Sequence, residues 1–281
     1  MDLVLAGAGK AGTAVASMFA AVGAAPKALI SRSQESLQRA NAIVGAEQTL
    51  AADLLSDSAS CSEAFQGNIL LLLALPDDVL EEAARAVCAL REDWSGSCVV
   101  HLSGATAIDT LRCFKERGSL TAVFHPCTPI RKIQPSLPSD VVYTFEGDRE
   151  LGGLFESFVG AWNGTLVEVS GINRALYHCG TLLSAGHLAA LLCESAKAIE
   201  TAGVTPEDSR EIMLSVARGV LASLERGTAF EDAVTGPFVR GDSAVIARHM
   251  AALDAELPEA SGVYQVLGEL SKKLIEQRHS K

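Results

Sequence analysis

The feature that most limits what this chain can fold into stands at its front. The stretch LAGAGKAGTAVASMF (5–19) sets Gly7, Gly9 and Gly12 at G-x-G-x-x-G spacing. It follows a short apolar run, LVLAG (3–7), and opens an Ala-rich run that reads as a helix over 11–23 with Gly23 as its stop. A strand, a glycine turn and a helix form the context in which this spacing carries meaning. Gly7 permits the tight turn, Gly9 lets a diphosphate approach the backbone, and Gly12 lets the helix pack closely on the strand. Free N–H groups and the positive end of the helix dipole then face an anion. A dinucleotide-binding loop built from Gly7, Ala8, Gly9, Lys10, Ala11 and Gly12 is the first expectation.

Strand and helix patterns alternate through the first half. KALIS (27–31), NILLLLALP (68–76), SCVVHLSG (97–104), TAVFHP (121–126), DVVYTFEG (140–147) and GTLVEVS (164–170) read as strands. QESLQRANAIVG (34–45) and DDVLEEAARAVCAL (77–90, with Asp77 as cap) read as helices. The fully apolar NILLLLALP suits the centre of a parallel sheet covered on both faces. After Gly171 no strand is expected. Residues 173–203 read as one helix of about 30 residues, roughly 45 Å long. It is apolar around much of its circumference and so expected to be buried on several sides. Thr205, Pro206 and Asp208 open the next helix with a capping box. Two more helices are expected near 242–256 and 258–278, and the basic RHSK (278–281) reads as a tail. The predicted fold class is α/β: a Rossmann-type doubly wound sheet over 1–170, followed by an all-helical substrate or dimerisation domain over 171–281.

Charge and composition narrow the function. A net charge of −11 argues against a nucleic-acid surface, which needs clustered Lys and Arg. Seven cysteines with no C-x-x-C pair read as reduced, small apolar residues in a cytoplasmic protein, and no metal site is expected. The run ILLLLAL (69–75) is far too short to span a bilayer, so no membrane partner is expected.

The end of the second strand reports on the cofactor. An acid there would accept from both ribose hydroxyls, yet the chain reads Ser31-Arg32-Ser33. A guanidinium flanked by two hydroxyls suits a 2′-phosphate, which favours NADP over NAD. Leu75 and Pro76, in LALPDD (73–78), end the central strand in a turn expected to pass beneath the ribose and nicotinamide. Ser103, after another strand, is a candidate for positioning the carboxamide.

Six histidines remain to be explained. His101 and His125 close predicted strands, at the edge where open α/β sheets bind ligands. His178 lies in the first turns of the long helix. His187, nine residues on, is turned about 900° from it and points to the opposite face. His125 and His178 come from separate segments that could converge. TGPFVRGD (235–242) combines a turn at Thr235, a guanidinium at Arg240 able to clamp an anionic group, and Asp242, which can cap the next helix or orient Arg240.

GAGKAGTAVA (7–16), LALPDD (73–78), HLSGA (101–105), FHPCTP (124–129), YHCG (177–180) and TGPFVRGD (235–242) together resemble the family of Rossmann-like and DUF2520 domain-containing proteins. That family is similar to NADP-dependent reductases of the pyrroline-5-carboxylate reductase and 6-phosphogluconate dehydrogenase type. Where relatives carry a Ser-Asn pair, this chain has Ser184-Ala185-Gly186. The resemblance implies an NADP-dependent oxidoreductase that transfers hydride to a small, anionic keto or imino acid. His178 would be proton donor or polariser, Tyr177 its neighbour and His125 the second candidate, with Arg240 and Thr235 on the substrate. The alternatives are a non-catalytic NADP(H)-binding or sensing protein and an S-adenosylmethionine-dependent transferase. A long helix apolar on several sides predicts a homodimer.

Overall fold

The computed structural model describes residues 1–279; the last two residues and the side chains from 277 on lie outside the described residues, and with them the reading of RHSK as a tail. The chain divides into two compact units, Met1–Ala185 and Gly186–Lys281.

The first unit is built on an eight-stranded sheet: β1 (Asp2–Ala6), β2 (Pro26–Ser31), β3 (Gln48–Ala51), β4 (Ile69–Leu73), β5 (Cys98–His101), β6 (Leu120–Pro126), β7 (Val142–Gly147) and β8 (Thr165–Glu168). Its order is β3-β2-β1-β4-β5-β6-β7-β8. Helices α1 (Lys10–Ala21), α2 (Gln34–Val44), α3 (Asp77–Cys88), α4 (Arg112–Glu116) and α5 (Arg149–Ala161) fall between the strands. Neighbouring strands are parallel except β6 and β7, which are antiparallel. No helix lies between β6 and β7, and an antiparallel pair needs no helical crossover.

The strands bury both faces by simple alternation. Leu3, Leu5, Leu70 and Leu72 join a core with α1 and α5, whereas Val4, Ala6, Leu71 and Leu73 join one with α3 and α4. The order reverses between β1 and β4, so the crevice at their carboxyl ends is where ligands gather in such sheets.

Several expectations change. β3, α4 and α5 were not legible from the sequence. Pro76, not Asp77, occupies the N-cap of α3; Asp77 and Asp78 fill its first turn, where carboxylates suit the helix dipole. The long helix is α6 (Arg174–Leu182), a π-turn (Leu183–His187) and α7 (Leu188–Thr201). The π-turn removes the regular 100° step on which the opposite faces of His178 and His187 were counted. Nor is this helix buried on several sides, since α7 has no buried residue. Its 28 residues, Arg174–Thr201, make it long and apolar enough to cross a membrane by length and composition.

The second unit holds α7, α8 (Pro206–Glu225), α9 (Phe230–Ala233), α10 (Pro237–Arg240), α11 (Ser243–Glu256) and α12 (Pro258–His279). The Thr205 hydroxyl accepts from the Asp208 N–H at 3.2 Å and donates to its carboxylate at 2.8 Å, fixing the start of α8. The Asp242 carboxylate accepts from the Val245 N–H at 3.2 Å, so of its two expected roles it caps α11. Phe238 packs on α12, where a Cβ at Gly268 would lie 2.2 Å from its ring.

Candidate functional site

Two cavities of the first unit open at the carboxyl edge of its sheet. The first, about 410 Å³, is lined by Gly7, Ala8, Gly9, Lys10 and Ala11, by Ser31, Arg32 and Ser33, and by Leu75 and Pro76. Ten of the twelve residues expected at the cofactor thus share one groove. The glycine loop is tied to both neighbours of β1, through the Gly7 N–H to the Ile30 carbonyl at 2.8 Å and the Ala74 N–H to the Ala6 carbonyl at 2.8 Å.

The three glycines have different causes. Gly7 has φ +108°, and a Cβ there would lie 2.2 Å from the Ala74 carbonyl oxygen. At Gly12 a Cβ would meet the Gly7 carbonyl oxygen at 2.3 Å, so this glycine seats α1 on the strand rather than facing the groove. At Gly9 a Cβ would meet nothing within 4 Å. The fold therefore does not need a glycine there, whereas a ligand lying on the backbone does. Gly9 is also the N-cap of α1 and offers no side chain to its first N–H groups, which leaves those donors to the groove. These features fit a diphosphate.

The far wall carries Arg32 and the start of α2. The Ser33 hydroxyl accepts from the Ser36 N–H at 3.2 Å and caps the helix. A second helix start beside an exposed guanidinium suits a further phosphate. Ser36, Asp53 and Leu54 also line this wall. Asp53 and Leu54 follow β3, a strand without an apolar pattern in the sequence, whereas Ser36 sits in the first turn of α2. Ser103, expected at the cofactor, does not line the groove. Its hydroxyl closes its own turn, accepting from the Ala105 and Thr106 N–H groups at 3.1 and 2.9 Å and donating to the Thr106 hydroxyl at 3.0 Å.

The second cavity, about 520 Å³, is lined by His125, Cys127, Tyr177, His178, Thr181 and Ser184, with Pro126, Thr128, Pro129, Gly180, Leu182 and Ala185. The three residues expected to do chemistry are therefore together. His125 ends β6, and antiparallel pairing puts it directly opposite Thr144 of β7. Asn173 caps α6 by accepting from the Leu176 N–H at 3.1 Å, and the helix delivers Tyr177 to that pair. The Tyr177 hydroxyl oxygen stands 2.7 Å from His125 Nδ1, 2.8 Å from Thr144 Oγ1 and 3.2 Å from Cys127 Sγ. The His178 ring centroid lies 6.5 Å from that of His125.

The start of α6 is pinned by an ion pair. Arg174 Nε and Nη2 donate to Glu146 Oε2 at 3.0 and 2.5 Å, and the Gly171 N–H donates to Oε1 at 2.9 Å. The guanidinium is buried 5.6 Å over the Tyr177 ring, and its Nη1 has no partner among the described residues. Burial, then the His178 and Arg174 charges, lower the His125 pKa to about 4, so the ring is neutral near pH 7. Burial raises the Tyr177 hydroxyl to about 12. His101 is fully buried and likewise lowered to about 4 by burial; its Nδ1 accepts from the Ser103 N–H at 3.2 Å. His125 and Tyr177 are thus neutral hydrogen-bonding groups beside the buried Arg174 guanidinium, able to polarise an acceptor.

The two expected substrate residues lie in the second unit. Thr235 lines an apolar cavity of about 440 Å³ with Leu191, Phe238, Tyr264 and Leu267, whereas Arg240 is exposed at the end of α10 and outside it. Among the described residues no group of three or more His, Cys, Asp or Glu could hold a metal.

Residues 2–126 match the description of a Rossmann-like domain, and residues 141–270 that of a domain of unknown function, DUF2520. No curated protein matches the sequence. Among solved structures, a Bacteroides fragilis protein provisionally assigned as an NADP oxidoreductase is similar at a TM-score of 0.73 and 18% identity, covering 97% of this chain and 98% of that one. A reductive aminase from Aspergillus terreus, in complex with NADPH and ethyl levulinate, is similar at 0.63 and 18%, covering 98% and 94%. A pyrroline-5-carboxylate reductase from Coxiella burnetii is similar at 0.58 and 16%, covering 97% and 98%. At these identities the likeness shows a shared fold.

Proposed function

The chain is a Rossmann-like protein carrying a DUF2520 domain, and from that premise we propose that it is an NADPH-dependent reductase of a small carbonyl or imine compound. The observation that carries the reading is Gly9, a glycine the fold does not require, at the uncapped start of α1 in a groove that also holds Arg32. Ligands named in the similar structures, NADPH among them, agree with it.

The Gly7–Ala11 backbone would hold the diphosphate, and Ser31, Arg32 and the α2 start the 2′-phosphate. Bound there, the reduced nicotinamide supplies a hydride. The chain's own part is to orient the acceptor, exclude water and deliver a proton. His125 suits polarising the acceptor through an N–H hydrogen bond, because it is neutral, half-buried and held by Tyr177. His178 lines the same cavity and is the proton donor in this reading. We further propose a cytoplasmic homodimer. The long helix is no membrane span in this reading, because its first turns are fastened to the sheet through Arg174–Glu146 and Tyr177.

Calorimetric titration tests the cofactor. NADPH is expected to bind more tightly than NADH, and Arg32→Asp to weaken NADPH about ten- to a hundredfold, the worth of a charge-assisted contact. No heat with either coenzyme would overturn the reading.

A further inference from the structure

The cluster around Tyr177 contains more than a nucleotide reductase requires. Three side chains, from β6, β7 and the turn after β6, meet at one phenolic oxygen, and that oxygen carries a single proton. The proton's direction decides which nitrogen of His125 is protonated.

Two arrangements of the Thr144–Tyr177–His125 chain satisfy the distances. In one, Thr144 donates to the Tyr177 oxygen at 2.8 Å, Tyr177 donates to His125 Nδ1 at 2.7 Å, and the ring proton sits on Nε2. In the other every arrow is reversed: Nδ1–H donates to Tyr177, Tyr177 donates to Thr144, and Nε2 keeps a lone pair. The surroundings of Thr144 separate them. The residue is 6% exposed, and its hydroxyl has no hydrogen-bond partner but Tyr177 among the described residues. The reversed chain would leave its O–H buried with nothing to donate to, at a cost of about 1–3 kcal/mol. A further arrangement, in which Thr144 and Nδ1–H both donate to Tyr177 and Tyr177 donates to Cys127 Sγ at 3.2 Å, is disfavoured because it gives the phenolic proton to a weak sulfur acceptor in place of the imidazole nitrogen. His125 Nε2 has no bond to the protein among the described residues and is not a buried orphan, so it is open to the cavity.

We propose that Thr144 is a positioning residue which, acting through Tyr177, fixes His125 as the Nε2–H tautomer and so presents an N–H donor to the cavity. The inference rests on the reductase reading only for what that donor meets. A fixed N–H of this kind serves an atom with a free lone pair, a carbonyl oxygen or an unprotonated imine nitrogen, and not an iminium N–H. Besides Tyr177 and Cys127, which touch Nδ1, the charged or titratable groups that act on the ring are Arg174, His178 and Asp77. Arg174 and His178 disfavour the doubly protonated form.

The tautomer is measurable without substrate or coenzyme. Protein labelled with ¹⁵N-histidine, studied by two-bond ¹H–¹⁵N correlation at neutral pH, is expected to show His125 Nε2 at the pyrrole-type position and Nδ1 at the pyridine-type position. Thr144→Val should move both signals toward their common average, and Thr144→Ser, which keeps the hydroxyl, should restore them. The reversed pattern in the unsubstituted protein overturns the proposal, even if a variant fails to fold. So does a folded Thr144→Val protein with an unchanged His125 pattern. Neither result touches coenzyme binding, so failure here is distinguishable from failure of the reductase reading.

Discussion

His101 and His125 end adjacent strands, and both are held neutral by burial; His101 is 0% exposed, whereas His125 lines a cavity. Their depressed pKa values are also a statement about stability. In the unfolded chain each imidazole titrates near 6.5, whereas in the fold each titrates near 4. Between those values the unfolded state binds more protons, so stability rises with pH across the window and is lost as pH falls through it. Each ring contributes at most about 1.4 kcal/mol per pH unit. The urea midpoint is expected to fall between pH 7 and pH 5, and His125→Asn should remove about half of the histidine-linked proton uptake. A midpoint unchanged over that range would mean that both rings charge freely inside the fold. At this scale the sequence told part of the story. His125, Tyr177 and His178 were visible as polar residues at a strand end and a helix start. Thr144 was not, because its place opposite His125 depends on antiparallel pairing of β6 with β7, which an alternating strand–helix pattern does not announce. Glu146, the partner of Arg174, was hidden for the same reason.

The glycine turn and α1 form the element on which the coenzyme reading stands, and two of its glycines can be separated by experiment. Gly12 lies against the Gly7 carbonyl oxygen and the Ala74 methyl group, at 2.3 and 2.7 Å from a hypothetical Cβ. Neither neighbour is the loose end of a flexible chain, so Gly12→Ala must push α1 off the sheet, at about 1–3 kcal/mol for overpacking. Gly9→Ala meets no protein atom and loses only the modest N-cap preference of glycine, about 1 kcal/mol. Its new methyl would instead stand where a diphosphate must approach. Denaturation curves and NADPH titrations on the two variants should therefore diverge: Gly12→Ala loses stability, while Gly9→Ala keeps most of its stability and loses binding at least tenfold. Equal binding by Gly9→Ala and the unsubstituted protein would detach this loop from the coenzyme. Elements with one dominant signal were legible: the glycine turn, the wholly apolar β4, and α8 with its Thr205 cap. β3 was not, because no residue of QTLA is buried and it shows no apolar pattern. The π-turn was not, because LSAGH is as compatible with a continuous α-helix as with an inserted residue.

For the whole molecule, the two units differ in how well one chain covers its own apolar surface. Both hydrophobic clusters belong to the first unit. Among the described residues of the second, only two apolar side chains are buried, Phe238 and Ala260, each 8% exposed. Meanwhile Ile212, Val216, Val220 and Leu221 on α8, and Val263, Val266, Leu267 and Leu270 on α12, are exposed at helical spacing, so each helix shows water an apolar stripe. A helical unit with so small a core has little hydrophobic stabilisation with which to offset its chain entropy. The long apolar helix was legible in the sequence; what covers it was not, because hydrophobicity demands burial without saying by what. A second copy of the chain is the simplest cover, since identical stripes are self-complementary about a two-fold axis. Sedimentation at micromolar concentration should then give a dimer, and the melting temperature should rise with protein concentration, because association favours the folded form by mass action. Val216→Lys together with Val220→Lys should shift the equilibrium to monomer and lower the melting temperature. A monomer with a concentration-independent melting temperature in the unsubstituted protein would defeat this reading and leave the exposed stripes of α8 and α12 in need of some other cover.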